Sequence, residues 1–139
     1  MQRSVAQKMG IKAGTRAYFA NAPTTALRAI DLPPLDVSEA LRGHFHYIHL
    51  FVRTQAEMTG AFPQLKAHLG DAGMLWVSWP KGRGLGTDLT LPQVIRIGYD
   101  EGLVESTTLS VDSTWSAMKF THPKPGKVYQ NSYGTLPGR

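Results

Sequence analysis

Apolar positions in this chain gather into compact runs, and segments with helical spacing separate them. Ala17, Tyr18 and Phe19 centre a brief strand over 16–20, while HFHYIHLFV (44–52) and MLWVSW (74–79) form longer runs. Near-continuous apolar strands lack the in/out alternation of a half-exposed sheet and suit strands covered on both faces, as in parallel sheets. Ser4 and Gln7 make a capping box for a short helix that stops at Gly10. Asn21-Ala22-Pro23 closes the first strand and opens a helix, proline suiting the first turn, with Ala26, Leu27 and Ile30 as its buried stripe. Pro33-Pro34 ends it, and a loop or short edge strand follows around Leu35 to Val37.

Thr54 with Glu57 begins a helix toward Leu69, its apolar face being Phe62, Leu65 and Leu69. Gly60 and Pro63 are expected to break or kink it. Asp71-Ala72-Gly73 reads as a turn ahead of the 74–79 strand. After a glycine-rich loop, Thr90, Pro92 and Gln93 start a helix with Leu91, Val94, Ile95 and Gly98 on one face and Gly102 as its stop. Strands over 103–111 and 114–121, linked at Asp112-Ser113, form an antiparallel hairpin.

This order predicts a three-layer α/β sandwich, a mostly parallel sheet ending in an antiparallel hairpin. One α/β domain covers 1–122, and 123–139 is expected to be a flexible, basic, Pro/Gly-rich tail. The layout resembles an abbreviated Rossmann-like, class I methyltransferase architecture, with only a short edge element between the first two long strands. A likeness of layout does not carry function.

Composition adds exclusions. With no cysteine, the chain makes no disulfide, thiolate zinc site or cysteine nucleophile. The opening residues have no signal-peptide core, and no apolar run reaches the roughly 20 residues of a membrane helix, so a cytoplasmic protein is expected. The net charge is +5, and Lys124, Lys127 and Arg139 contribute three of those charges in a tail segment without acids. Arg3, Lys8, Lys12 and Arg16 form a second group, but neither is a dense basic arm. No helix-turn-helix, zinc-finger or RRM pattern is present, which disfavours nucleic acid as a partner.

The run GMLWVSWPK (73–81), with NAP (21–23), HLFV (49–52), TDLT (87–90), GLV (102–104) and WSAMKF (115–120), resembles a bacterial family of small proteins, domain of unknown function 3052. The resemblance spans roughly Val5 to Phe120 and leaves out the tail. It implies a relative without a mechanism, since the family has no established activity, substrate or cofactor.

In open α/β sheets, ligands bind beyond the carboxyl ends of the strands. That rule selects Asn21, Arg53, Thr54, Ser78, Lys81, Arg83, Thr87 and Asp88 as candidate ligand-binding residues. Cations and helix N-termini on one edge would suit a phosphate or carboxylate. Gly82-Arg83-Gly84-Leu85-Gly86 departs from a dinucleotide fingerprint in spacing and in position, lying after the third strand instead of the first. The first turn lacks the glycines that S-adenosylmethionine or a dinucleotide would require, so no cofactor is expected. His44 and His46 share a strand face but lack a third ligand, so no metal is expected. His49 reads as a hydrogen-bonded core histidine, and Ser78 as a structural hydroxyl without a nucleophile elbow. Lys81 with Asp88 is the best acid/base combination, and no catalytic residue is assigned.

The leading expectation is a non-enzymatic module that binds a protein partner or an anionic small molecule at this edge. The alternatives are a methyltransferase-like enzyme with an atypical cofactor loop, and weak nucleic-acid association through the basic tail. Antiparallel end strands leave an edge that could support a homo-oligomer.

Overall fold

A computed structural model describes residues 3–138; Met1, Gln2 and Arg139, the last counted among the tail's charges, lie outside the described residues. The elements are α1 (Val5–Met9), β1 (Arg16–Ala20), α2 (Thr24–Ile30), β2 (Asp36–Val37), β3 (Phe45–Phe51), α3 (Gln55–Ala67), β4 (Leu69–Pro80), a 3₁₀ segment (Lys81–Gly86), α4 (Leu91–Asp100), β5 (Val104–Ser110) and β6 (Trp115–Thr121).

The strands form one sheet in the order β2-β1-β3-β4-β6-β5. β1 pairs in parallel with β2 and β3, and β3 with β4. β6 runs antiparallel to both β4 and β5, so the last strand in sequence inserts before the penultimate one. Asp112 sets the hairpin between them, its Oδ1 accepting from the backbone N–H groups of Thr114 and Trp115 at 2.8 Å each.

Alternation along β3 feeds two cores. Ile48 and Leu50 join Met58, Phe62 and Leu65 of α3 and Val94 and Ile97 of α4. Tyr47 and Phe51 join Ala6 and Met9 of α1, Ala26 and Ile30 of α2, and Trp76 and Trp115 of the sheet. Helices therefore cover both faces, which is why β3 and β4 read as unbroken apolar runs. α4 approaches β6 so closely that a Cβ on Gly98 would lie 2.0 Å from the Phe120 ring.

The capping boxes of α1 and α4 form as expected, and Thr54 caps α3 through the Glu57 N–H. Pro23 is the N-cap of α2, one position earlier than its expected place in the first turn. Pro63 does not break α3, which continues to Ala67. Pro63 and Thr59 are both exposed, so water can take the carbonyl that proline leaves without a donor.

Asp71-Ala72-Gly73 is no turn: β4 begins at Leu69 and carries these residues as a bulge opposite Phe45–Tyr47. A Cβ on Gly73 would lie 2.8 Å from the Phe45 carbonyl oxygen, so glycine permits this close pairing. The segment after His122 lies against the domain: Leu136 enters the α3/α4 core and Asn131 Nδ2 donates to Glu105 Oε1 at 2.9 Å.

Candidate functional site at the carboxyl edge of the sheet

β1, β3 and β4 end on the same side, with Ala20 opposite Leu50 and Phe51 opposite Ser78. From β1 the chain goes outward to β2 and then returns to β3 on the other side, so the connections diverge between β1 and β3. A cleft of about 220 Å³ opens there, lined by Asn21, Pro23, Phe51, Arg53, Glu57 and Trp115. Asn21 turns the chain off β1 at φ 60°, a left-handed conformation that asparagine tolerates better than most side chains. Phe51 and Trp115 meet edge to face, with ring centroids 5.2 Å apart. Glu57 Oε1 accepts the Arg53 N–H at 2.7 Å and fixes the rim between β3 and α3.

The eight candidate residues separate into groups. Asn21 and Arg53 share this cleft. Arg83, Thr87 and Asp88 line another of about 230 Å³ with Thr90 and Gln93. Lys81 and Arg83 line a third of about 390 Å³ whose floor includes Trp79, Pro80 and Leu89. Thr54 Oγ1 accepts from Glu57 N at 3.0 Å, and Thr87 Oγ1 from Leu89 N at 3.0 Å. Asp88 Oδ1 accepts the Gln55 N–H at 2.8 Å, closing the N-terminus of α3 with a carboxylate from the neighbouring loop. Lys81 Nζ donates to Ser110 Oγ. Lys81 and Asp88 thus have different partners, and neither is arranged as the other's acid or base.

Ser78 is fully buried and belongs to a hydrogen-bonded chain. Tyr47 Oη lies 2.7 Å from His49 Nδ1, and His49 Nε2 lies 2.7 Å from Ser78 Oγ. The neutral ring carries one proton, so one of these bonds is donated by the ring and the other accepted. Burial lowers the His49 pKa from 6.5 to about 3 and raises that of Tyr47. His49 stacks on Phe51 with centroids 4.4 Å apart, so the chain runs beneath the floor of the Asn21–Arg53 cleft. Trp76 Nε1, also buried, has no hydrogen-bond partner among the described residues. The i, i+2 spacing of Tyr47 and His49 places them on one face, whereas their link to Ser78 depends on cross-strand register.

Sequence reasoning also missed Phe51, Glu57 and Trp115 as cleft residues. Phe51 and Trp115 had the pattern of core positions, and Glu57 that of a helix cap. Among the described residues, no group of three His, Cys, Asp or Glu side chains could hold a metal ion, and no helix is long and apolar enough to cross a membrane.

Solved structures give the sheet its relatives. A TehB-like SAM-dependent methyltransferase from Corynebacterium glutamicum matches with a TM-score of 0.58 at 12% identity, over 88% of this chain and 89% of that one. The fold is methyltransferase-like. The glycopeptide N-methyltransferase MtfA, solved with sinefungin, matches at 0.56 and 12% identity, over 86% of this chain and 93% of its own. Magnesium protoporphyrin IX methyltransferase from Synechocystis PCC 6803, with bound SAM, matches at 0.55 and 9% identity, over 86% and 74%. No protein-family model matches this chain, and no curated protein matches it in sequence.

The methyltransferase-like fold raises S-adenosylmethionine as a ligand, and the residues present do not fit it. Asn21, Ala22 and Pro23 each place a Cβ at the first turn, and Pro23 has no N–H to offer. β2 is only two residues long, so no long second strand reaches the edge to present an acid to a ribose. The cleft at the divergence point, about 220 Å³, is smaller than the roughly 300–1,000 Å³ typical of cofactor and drug-sized sites.

Proposed function

We propose that this protein is a non-enzymatic binding module on a methyltransferase-like fold, taking a small anion, carboxylate or phosphate, in the Asn21–Arg53 cleft. The first turn carries this reading: Asn21 turns sharply off β1 at φ 60°, and Asn21-Ala22-Pro23 has no glycine, and at Pro23 no N–H, with which to cradle a cofactor. Arg53 supplies a permanent positive charge, Asn21 an amide donor, and Phe51 with Trp115 an apolar floor that lowers the local dielectric. Thr54, Thr87 and Asp88 then act as scaffolding for the start of α3 and the neighbouring loop. The motif set over Val5–Phe120 supports kinship with domain of unknown function 3052, and the absence of cysteine suits a cytoplasmic setting.

Titration of the protein with acetate, citrate and phosphate, followed by tryptophan and arginine side-chain NMR resonances, tests the site. Saturable shifts at Trp115 and Arg53 that vanish in Arg53→Ala are expected. Shifts unaffected by that substitution would remove the cleft from consideration.

The solved relatives favour a second reading, an enzyme with an atypical first loop, because several were captured with SAM, its demethylated product or sinefungin. That reading requires the first turn to open, and its mark would be S-adenosylhomocysteine moving the same Trp115 and Arg53 resonances.

A further inference from the structure

Two roomier cavities, of about 410 and 610 Å³, lie at the opposite end of the sheet, where β5 begins and β6 ends. They share Lys66, Gly102, Pro123, Lys124 and Pro125, and Lys127 extends the first. His122 and one carboxylate, Asp71, complete the second. Among the described residues that line it, the cations therefore outnumber the acids, and the chain after His122 forms the outer wall of the recess.

Lys66 has a structural task. Its Nζ donates to the Glu101 carbonyl at the C-terminal end of α4, and Gly102, at φ +87°, leaves room for it. That contact offsets the negative pole of the helix, which would otherwise repel an anion entering the recess. Lys124 and Lys127 are the other cations lining the recess. One short turn holds both: Lys127 N donates to Lys124 O at 3.2 Å, and Lys124 N to Tyr129 Oη at 3.0 Å. Lys127 Nζ sits 5.0 Å from the Tyr129 ring centroid. Pro123 and Pro125 fix their φ angles, and buried Leu136 anchors the far side. A wall ordered in advance reduces the entropy lost when a ligand binds.

We propose that this recess, built by the C-terminal segment, binds a small phosphorylated molecule through Lys124 and Lys127. Lysine is a point-charge phosphate binder, and the volume falls in the range of small-molecule sites. A nucleic-acid strand is less well served, because it needs an open basic groove with exposed aromatic platforms. This site is separate from the carboxyl-edge cleft and does not depend on it.

Calorimetric titration of the full chain at low salt, with pyrophosphate and ATP as ligands and adenosine as the control, tests the proposal. Binding of both phosphates but not adenosine is expected, weakening with salt and falling at least tenfold in a Lys124→Ala/Lys127→Ala double variant. A Lys124→Gln/Lys127→Gln variant, which retains the apolar stems, should lose binding equally and guards against a folding defect. Absence of binding, or binding retained in both double variants, would overturn the site. Loss of binding in Arg53→Ala instead would assign the phosphate to the carboxyl-edge cleft. A single-stranded oligonucleotide binding more tightly than ATP at the same lysines would replace the small molecule with nucleic acid.

Discussion

His49 is enclosed between the sheet and the α1/α2 layer, where a charge would find no water. The unfolded chain takes up its proton near pH 6.5 and the folded chain only near 3. Stability should therefore rise with pH across that window and be lost as pH falls through it, by about 1 kcal/mol per pH unit from this group. Urea unfolding from pH 7 to pH 4 measures the slope, and His49→Phe should remove this component of it. Ser78→Ala would strip one ring nitrogen of its partner and is expected to cost roughly 1–3 kcal/mol at neutral pH. Asp88 gives a contrasting residue-scale prediction. As the acceptor for Gln55 N–H, Asp88→Ala should cost about 1 kcal/mol, and Asp88→Asn less because the amide oxygen still accepts. A fall for Asn as large as for Ala would refute the capping role.

Among the elements, those governed by local chemistry were legible in the sequence. Ser4/Gln7, Thr54/Glu57 and Thr90/Gln93 mark the starts of α1, α3 and α4, because a cap is satisfied within a few residues. The start of β4 was not legible. Asp71-Ala72-Gly73 has turn composition, but glycine serves there to bring the strand against the Phe45 carbonyl, a contact 28 residues distant in sequence. Pro63 likewise has the chemistry of a breaker, but α3 runs through it because its position is exposed. Gly98 in α4 looked like an ordinary small residue on a helix face, yet it sets the approach to Phe120. Gly98→Ala is expected to destabilise by roughly 1–3 kcal/mol despite alanine's better helix propensity, as measured by chemical denaturation. A gain in stability would mean that α4 can move away from β6 without penalty.

At the scale of the whole molecule, the three layers and the antiparallel ending followed from element order. The insertion of β6 between β4 and β5 did not, since strand pairing over this distance leaves no local signal. At the carboxyl edge, Asn21 and Arg53 line one cleft, Lys81, Arg83, Thr87 and Asp88 line two adjoining ones that share Arg83, and Ser78 is buried. Thr54, Thr87 and Asp88 make internal hydrogen bonds there. The chemistry of a side chain was readable from sequence, and its partner was not. A methyltransferase-like sheet whose first turn, Asn21-Ala22-Pro23, has no glycine and no N–H at Pro23 is expected not to take up S-adenosylmethionine. Thermal unfolding with and without S-adenosylhomocysteine tests it most directly. A ligand at one hundred times its dissociation constant stabilises by about 2.7 kcal/mol, several degrees for a chain of this length. No shift at millimolar S-adenosylhomocysteine is the expected result; a saturable rise of several degrees would contradict the claim.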